Sequence, residues 1–181
     1  SIQQGSTPRT AKTWRDIPPV PINAFKSVLL TCCEPNSTGR TFMTSGTTQN
    51  GVCGKSYHPV LSVYDQSMIR NFKNRFLGEA DKIKMGILFP DTDSMPNSSL
   101  AHYLSLALNN FGTESSSYLL TKEGIDFSRV FENLQYAQDT NTPYALLGAS
   151  FSIVHLLDEM AIQNKTYGMR KRIQAKTYGM R

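Results

Sequence analysis

Lys84 to Phe111 reads KMGILFPDTDSMPNSSLAHYLSLALNNF, and this stretch decides the fold class. The run KMGILF, closed by Pro90, predicts a short buried strand. The polar loop PDTDSMPNSS then delivers a helix over about Ser99 to Phe111, with Leu100, Tyr103, Leu104, Ala107, Leu108 and Phe111 on one face and Asn97 or Ser98 as its N-cap. A strand that runs through a polar turn into an amphipathic helix is the building block of parallel α/β sheets.

The same unit recurs downstream. Ser116 to Leu120 is a candidate strand, and Asp126 can cap a helix carrying Phe127, Val130, Phe131, Leu134 and Ala137 at helical spacing. Pro143 ends that segment, Tyr144 to Gly148 (YALLG) predicts a third strand, and FSIVHLLDEM opens a third helix. Upstream, a helix is expected over Leu61 to Leu77, where Tyr64, Met68, Phe72 and Phe76 recur every four residues and Ile69 widens the stripe. The expected fold class is therefore α/β, a mostly parallel sheet flanked by helices. Ligands in such folds gather where strands end and helices begin, here at Pro90 to Ser99, Thr121 to Asp126 and Gly148 to Ser150.

Residues 1–21, ending in DIPPVP, are Pro-rich and polar and read as an extended lead-in. Residues 22–160 form the expected α/β domain. Residues 161–181 form a basic tail in which KTYGMR occurs at Lys165 to Arg170 and again at Lys176 to Arg181. A six-residue duplication is too short to bury a shared face, so the tail reads as extraneous to the fold.

Charge follows the same division. Residues 1–160 hold 13 of the 19 basic residues and all 14 acidic ones, a net charge of −1, so the basic character of the chain belongs to the tail. No basic stripe with interleaved aromatics crosses the body, and nucleic acid is not an expected partner. Nor does any run reach the roughly 20 apolar residues that span a bilayer. The start, SIQQGSTPRTAKTW, lacks the apolar core of a signal peptide, so no membrane span and a cytoplasmic location are expected. Cys32, Cys33 and Cys53 cannot pair evenly and read as reduced thiols, and neither they nor His58, His102 and His155 have metal-ligand spacing.

The chemistry concentrates in Thr41 to Tyr57, TFMTSGTTQNGVCGKSY. Thr44, Ser45, Gly46, Thr47 and Thr48 offer hydroxyls and backbone N–H groups without bulk, a composition suited to wrapping a phosphate and shared by polar surface turns. Two familiar motifs come close nearby and fail. QNGVCGKS resembles a P-loop, but Gln49 replaces its first glycine and Pro59 interrupts the helix that should follow Lys55 and Ser56. Gly148-Ala149-Ser150-Phe151-Ser152 resembles a nucleophile elbow but has Ser152 where the second glycine belongs, and a residue five positions along a helix, as His155 is, points away from Ser150. Ser150 reads instead as a helix cap.

Thr44 to Thr48 (TSGTT), preceded by an apolar run and followed by Gly54 and Lys55, resembles the phosphate-binding loop of adenylate-forming enzymes. Together with VPINAFKS (Val20 to Ser27), PNSSLAHYL (Pro96 to Leu104) and LLGASFSIVHLLDE (Leu146 to Glu159), it makes the chain similar to the acyl-protein synthetase family, the long-chain-fatty-acid luciferin-component ligases. The resemblance implies part of the large N-terminal domain of adenylate-forming enzymes. It implies an ATP-dependent acid-thiol ligase that converts a long-chain fatty acid to an acyl-adenylate and passes the acyl group to a protein cysteine. Fatty-acid reductase and acyl-transferase components would be its partners, supplying aldehyde for luciferase. Carried onto this chain, Thr44, Ser45, Gly46, Thr47 and Thr48 would embrace the β- and γ-phosphates of ATP, Lys55 would neutralise their charge, and Mg²⁺ would bridge oxygens. Ser98, Ser99, Gly148, Ala149 and Ser150 would line the pocket for adenylate or acyl chain. Gln49 stands where the family pattern has glycine, and the family's later elements, including its acyl-accepting cysteine near the C-terminus, are not seen. By the resemblance the chain reads as an N-terminal portion, inactive alone. A phenylacetate-type acyl-CoA ligase and a non-catalytic nucleotide- or acyl-binding module are the competing readings. Cys53, beside Lys55, reads first as an incidental loop cysteine and second as an acyl acceptor.

Overall fold

Two apolar strands and a two-residue third, each too short to bury its faces alone, solve the problem jointly. The computed structural model describes residues 9–31, 34, 39–44 and 53–168. These fall into two compact units divided between Pro59 and Val60.

The second unit is built on a parallel sheet of β3 (Lys84–Leu88), β4 (Ser117–Tyr118) and β7 (Tyr144–Gly148), in the order β4-β3-β7. Side chains of successive strand residues point to opposite faces. Met85, Ile87 and Ala145 therefore face one way, against α2 (Leu61–Asn71) and α3 (Ser99–Phe111), in two clusters with Met68, Phe72, Leu77, Ala107 and Phe111 and with Ala101 and Leu104. Leu88, Leu146 and Leu119 face the other way, against α4 (Phe127–Asp139) and α5 (Ser150–Ile162), packing with Val130, Phe131, Leu156 and Met160. The chain moves from β3 to β4 in one direction and from β4 past β3 to β7 in the other. Right-handed crossovers must then put α3 and α4 on opposite faces, as observed. The unit is mixed α/β, with a three-stranded parallel sheet flanked by helices.

Local signals set the helix starts. Ser98 Oγ accepts from Ala101 N at 3.2 Å and Asp126 Oδ1 from Arg129 N at 3.1 Å, each satisfying one of the N–H groups a first helical turn leaves open. Gly86 leaves room at the sheet's centre for the side chains around it. A Cβ there would run into the Tyr144 hydroxyl and stand 2.7 Å from Leu119 Cδ1. Burial pushes the Tyr144 phenol up to about 12, against the opposing influence of Asn133 and Arg129.

Two elements depart from expectation. The helix that starts at Leu61 does not keep one pitch, because Phe72–Leu77 is a π segment. The wider turn replaces i+4 spacing by i+5. Leu77 is therefore the buried residue at 5% exposure, while Phe76, which continues the four-residue stripe, is 50% exposed. Gly78 closes the segment at φ 63°, its N–H bonded to Lys73 O at 2.8 Å. The expected strand Ser116 to Leu120 is likewise divided. Only Ser117 and Tyr118 pair with β3, and Leu120–Thr121 (β5) turns back against Gly124–Ile125 (β6) in an antiparallel hairpin. The junction read as a simple strand-to-helix turn is that hairpin, held by Thr121 Oγ1 donating to Glu123 Oε2 at 2.8 Å.

The first unit contains a single turn of 3-10 helix at Trp14–Asp16, the short helix α1 (Ala24–Ser27), and strands β1 (Arg40–Met43) and β2 (Lys55–His58), paired antiparallel with Arg40 opposite His58 and Met43 opposite Lys55. Asp16 Oδ2 accepts from the N–H groups of Lys12 and Thr13 at 2.9 and 2.8 Å, and these bonds, Thr13's first, hold its carboxyl below the usual carboxylate range.

Candidate functional site

In the first unit, the hairpin presents the chemistry. Residues directly opposite in an antiparallel pair share a face. One face of β1 and β2 therefore carries Arg40 with His58 and Phe42 with Ser56, and the other carries Thr41 with Tyr57 and Met43 with Lys55. Phe42 is the floor of the first face at 3% exposure. The His58 ring meets it edge-on, with centroids 5.2 Å apart, which fixes the imidazole. Ser56 Oγ lies 3.1 Å from His58 Nε2. At the near end Gly39, at φ 120°, runs so close to His58 O that no side chain fits.

Thr44 and Gly54 close the far end. Thr44 N donates to Gly54 O at 3.0 Å and Gly54 N donates to Thr44 Oγ1 at 2.8 Å. Thr44 is exposed, and Lys55, the first residue of β2, is exposed at that same end. Ser45, Gly46, Thr47 and Thr48 lie outside the described residues, as do Cys32 and Cys33. The failed P-loop reading has a structural counterpart: Lys55 and Ser56 begin a strand, and no helix follows them before Pro59.

The strand ends of the second unit bring the other expected residues together. Leu88, which ends β3, is in register with Gly148, which ends β7. The chain leaves these neighbouring strands in opposite directions across the sheet, which is the arrangement that opens a crevice in α/β folds. Above Leu88 lies the loop to Ser98 and Ser99, and above Gly148 lie Ala149 and Ser150. Ala149 packs on the cluster that contains Ala101, so the two turns share one apolar floor. Ser150 corrects an expectation. It is the exposed first residue of α5, and Ala149 holds the N-cap position with no side-chain cap bond.

Most polar groups at this edge are already partnered. Asp91 Oδ1 accepts from Ser94 N at 2.8 Å, which keeps its carboxyl below the usual range. Tyr64 donates from its hydroxyl to Ser99 O at 3.4 Å, and burial raises its phenol. The Tyr118 phenol is raised by burial. His102 Nε2 and Asp65 Oδ1, 2.7 Å apart, tie α3 to α2.

No family model, curated protein or solved structure matches this chain. Its functional reading therefore rests on the geometry of these residues. Among the described residues no group of three or more His, Cys, Asp or Glu could hold a metal ion, and no helix is long and apolar enough to cross a membrane. Sequence reasoning set aside Ser56 with the failed P-loop and His58 for want of metal-ligand spacing, and did not weigh Arg40, yet the three share one face of the hairpin. Two of them are signalled by i, i+2 spacing on a strand, but Arg40 joins them only through the register of β1 on β2.

Proposed function

We propose that this chain binds the phosphates of ATP at the β1–β2 hairpin, as the nucleotide-binding part of a ligase that activates a long-chain fatty acid as its acyl-adenylate for transfer to a protein cysteine. One observation carries the reading: the Thr44–Gly54 closure sets Thr44 and Lys55 at the same end of two paired strands. Thr44 offers a hydroxyl and Lys55 a cation at that end, from opposite faces of the ladder, groups of the kind that stabilise phosphate charge. The described residues fit magnesium only as a companion of the nucleotide, since Thr44 supplies a hydroxyl and no carboxylate cluster stands by. The crevice above Leu88 and Gly148 is the corresponding proposal for the adenylate or acyl chain.

The test is a titration of the chain with ATP and Mg²⁺, followed by ATP–pyrophosphate exchange with tetradecanoate or phenylacetate. ATP binding that is lost in Gly46→Val, with the far-ultraviolet circular dichroism unchanged, is the expected result, because a branched side chain occupies space the phosphate needs. Unchanged nucleotide affinity in that variant removes the phosphate-loop reading. Exchange with phenylacetate alone moves the activity to the aryl-ligase class, and ATP binding without exchange by either acid fits both an N-terminal portion that is silent alone and a binding module.

A further inference from the structure

Arg40 carries a donor that the fold does not use. Its Nε is buried and has no hydrogen-bond partner. Burying a guanidinium donor without an acceptor is costly, and native structures rarely tolerate it. Neither of the ion pairs seen among the described residues, Lys73 to Asp81 and His102 to Asp65, includes Arg40. In the first unit Asp16 is taken up by Lys12 and Thr13.

The surroundings indicate what kind of partner fits. Arg40 stands directly across from His58, and both share a face with Ser56. When His58 Nε2 carries the proton it donates to Ser56 Oγ at 3.1 Å, leaving the serine hydroxyl hydrogen to point elsewhere. Arg40 Nε–H and Ser56 O–H are then two donors on one half-buried face, beside a guanidinium charge and above the apolar floor of Phe42. A neutral acceptor would leave the charge uncompensated, whereas an oxyanion answers both charge and geometry.

We propose that Arg40, Ser56 and His58 form an oxyanion subsite for a phosphate or carboxylate group, distinct from the Thr44 to Thr48 loop. It goes beyond the adenylation reading and does not depend on it. A phosphate-bearing ligand would sit with a terminal phosphoryl on Arg40, and a carboxylic acid would sit with its head group there.

The experiment follows the three histidine side chains of the full chain by proton–carbon NMR while inorganic pyrophosphate is added, and separately butyrate. The expected result is a saturable shift of the His58 resonances with one of the two anions, which names the class. Arg40→Gln should weaken that binding at least about tenfold through loss of a charge-assisted bond, and Arg40→Lys, which keeps the charge but not the fork, should fall between. Ser56→Ala should weaken it less. If Arg40→Gln loses the dispersed spectrum of the folded chain, the Lys and Ala variants carry the test. Gly46→Val should leave it intact even where ATP binding is lost, which separates this subsite from the loop. No saturable shift with either anion, an affinity that Arg40→Lys and Ser56→Ala leave unchanged, or loss of the shift in Gly46→Val would each overturn the proposal, the last by placing the anion on the loop.

Discussion

The sheet unit and the hairpin unit differ in the kind of polar group each leaves unanswered. Around the parallel sheet, side-chain oxygens answer backbone N–H groups: Ser98 caps α3, Asp126 caps α4, and Ser116 Oγ accepts from Met85 N and Thr113 N, both at 2.9 Å. Its interior is otherwise apolar, with Ser152 the polar residue buried among the described ones, and the buried atom it leaves without a partner is the neutral Tyr144 hydroxyl. Among its described residues the hairpin unit has Phe42 as the buried apolar side chain; on the same face stand a guanidinium with an unpartnered donor and a Ser–His pair, and an exposed lysine stands at the turn. A phenol left unanswered is neutral, whereas a guanidinium is charged and calls for an anion.

The contrast can be tested in order of size. Leu88→Ala removes a side chain with no solvent exposure from the face that packs on α4 and α5. It should cost about 2–5 kcal/mol in urea unfolding, through lost transfer energy plus a cavity. A cost below about 1 kcal/mol would mean that this interior collapses freely and is not the close-packed frame described. Next in size, Ser98→Ala should cost about 1 kcal/mol for the lost cap, whereas Ser150→Ala, at an exposed helix start with no cap bond, should stay within about 0.5 kcal/mol. Equal effects at the two serines would erase the distinction between a partnered and an idle hydroxyl. The smallest effect belongs to Arg40. Arg40→Met should leave stability within about 0.5 kcal/mol of the parent chain or raise it, since it removes an unmatched buried donor and keeps the apolar stem. A marked loss of stability would show that Arg40 serves the fold as Ser98 does.

Where a feature depends on its neighbours in sequence, the amino-acid pattern alone is enough. Strands β3 and β7 announce themselves as apolar runs beside prolines, and the stripes of α3 and α4, with caps at Ser98 and Asp126, give their extents. What depends on pairing or pitch is not legible. Nothing local in FKNRFL distinguishes an i+5 turn from an i+4 turn, so the periodicity points to Phe76 as the core residue in place of Leu77. Leu120 looks like strand because it is apolar, yet the ladder with β3 stops at Tyr118 and the chain reverses after Thr121. At the site, Thr44 and Lys55 can be picked out by composition, and Ser98 to Ser99 and Gly148 to Ser150 by their position at strand-to-helix turns. Arg40 cannot, because its meaning arises from standing across a ladder from His58, and the register that brings the two together is written in neither strand by itself.

The π segment of Phe72–Leu77 has a bearing on how this chain can change length. Gaining or losing one residue in an α-helix ordinarily rotates everything beyond it by about 100°, enough to turn a buried face to the solvent. Here a single wide turn already absorbs such an increment, and Leu77 stays inward before Gly78 redirects the chain. The helix end thus works as a phase adjuster: losing one residue between Phe72 and Leu77 would convert the wide turn to an ordinary one and leave Leu77 four residues after Phe72, still facing inward. Insertions and deletions, which most helices reject, have in this turn a position where geometry accommodates them.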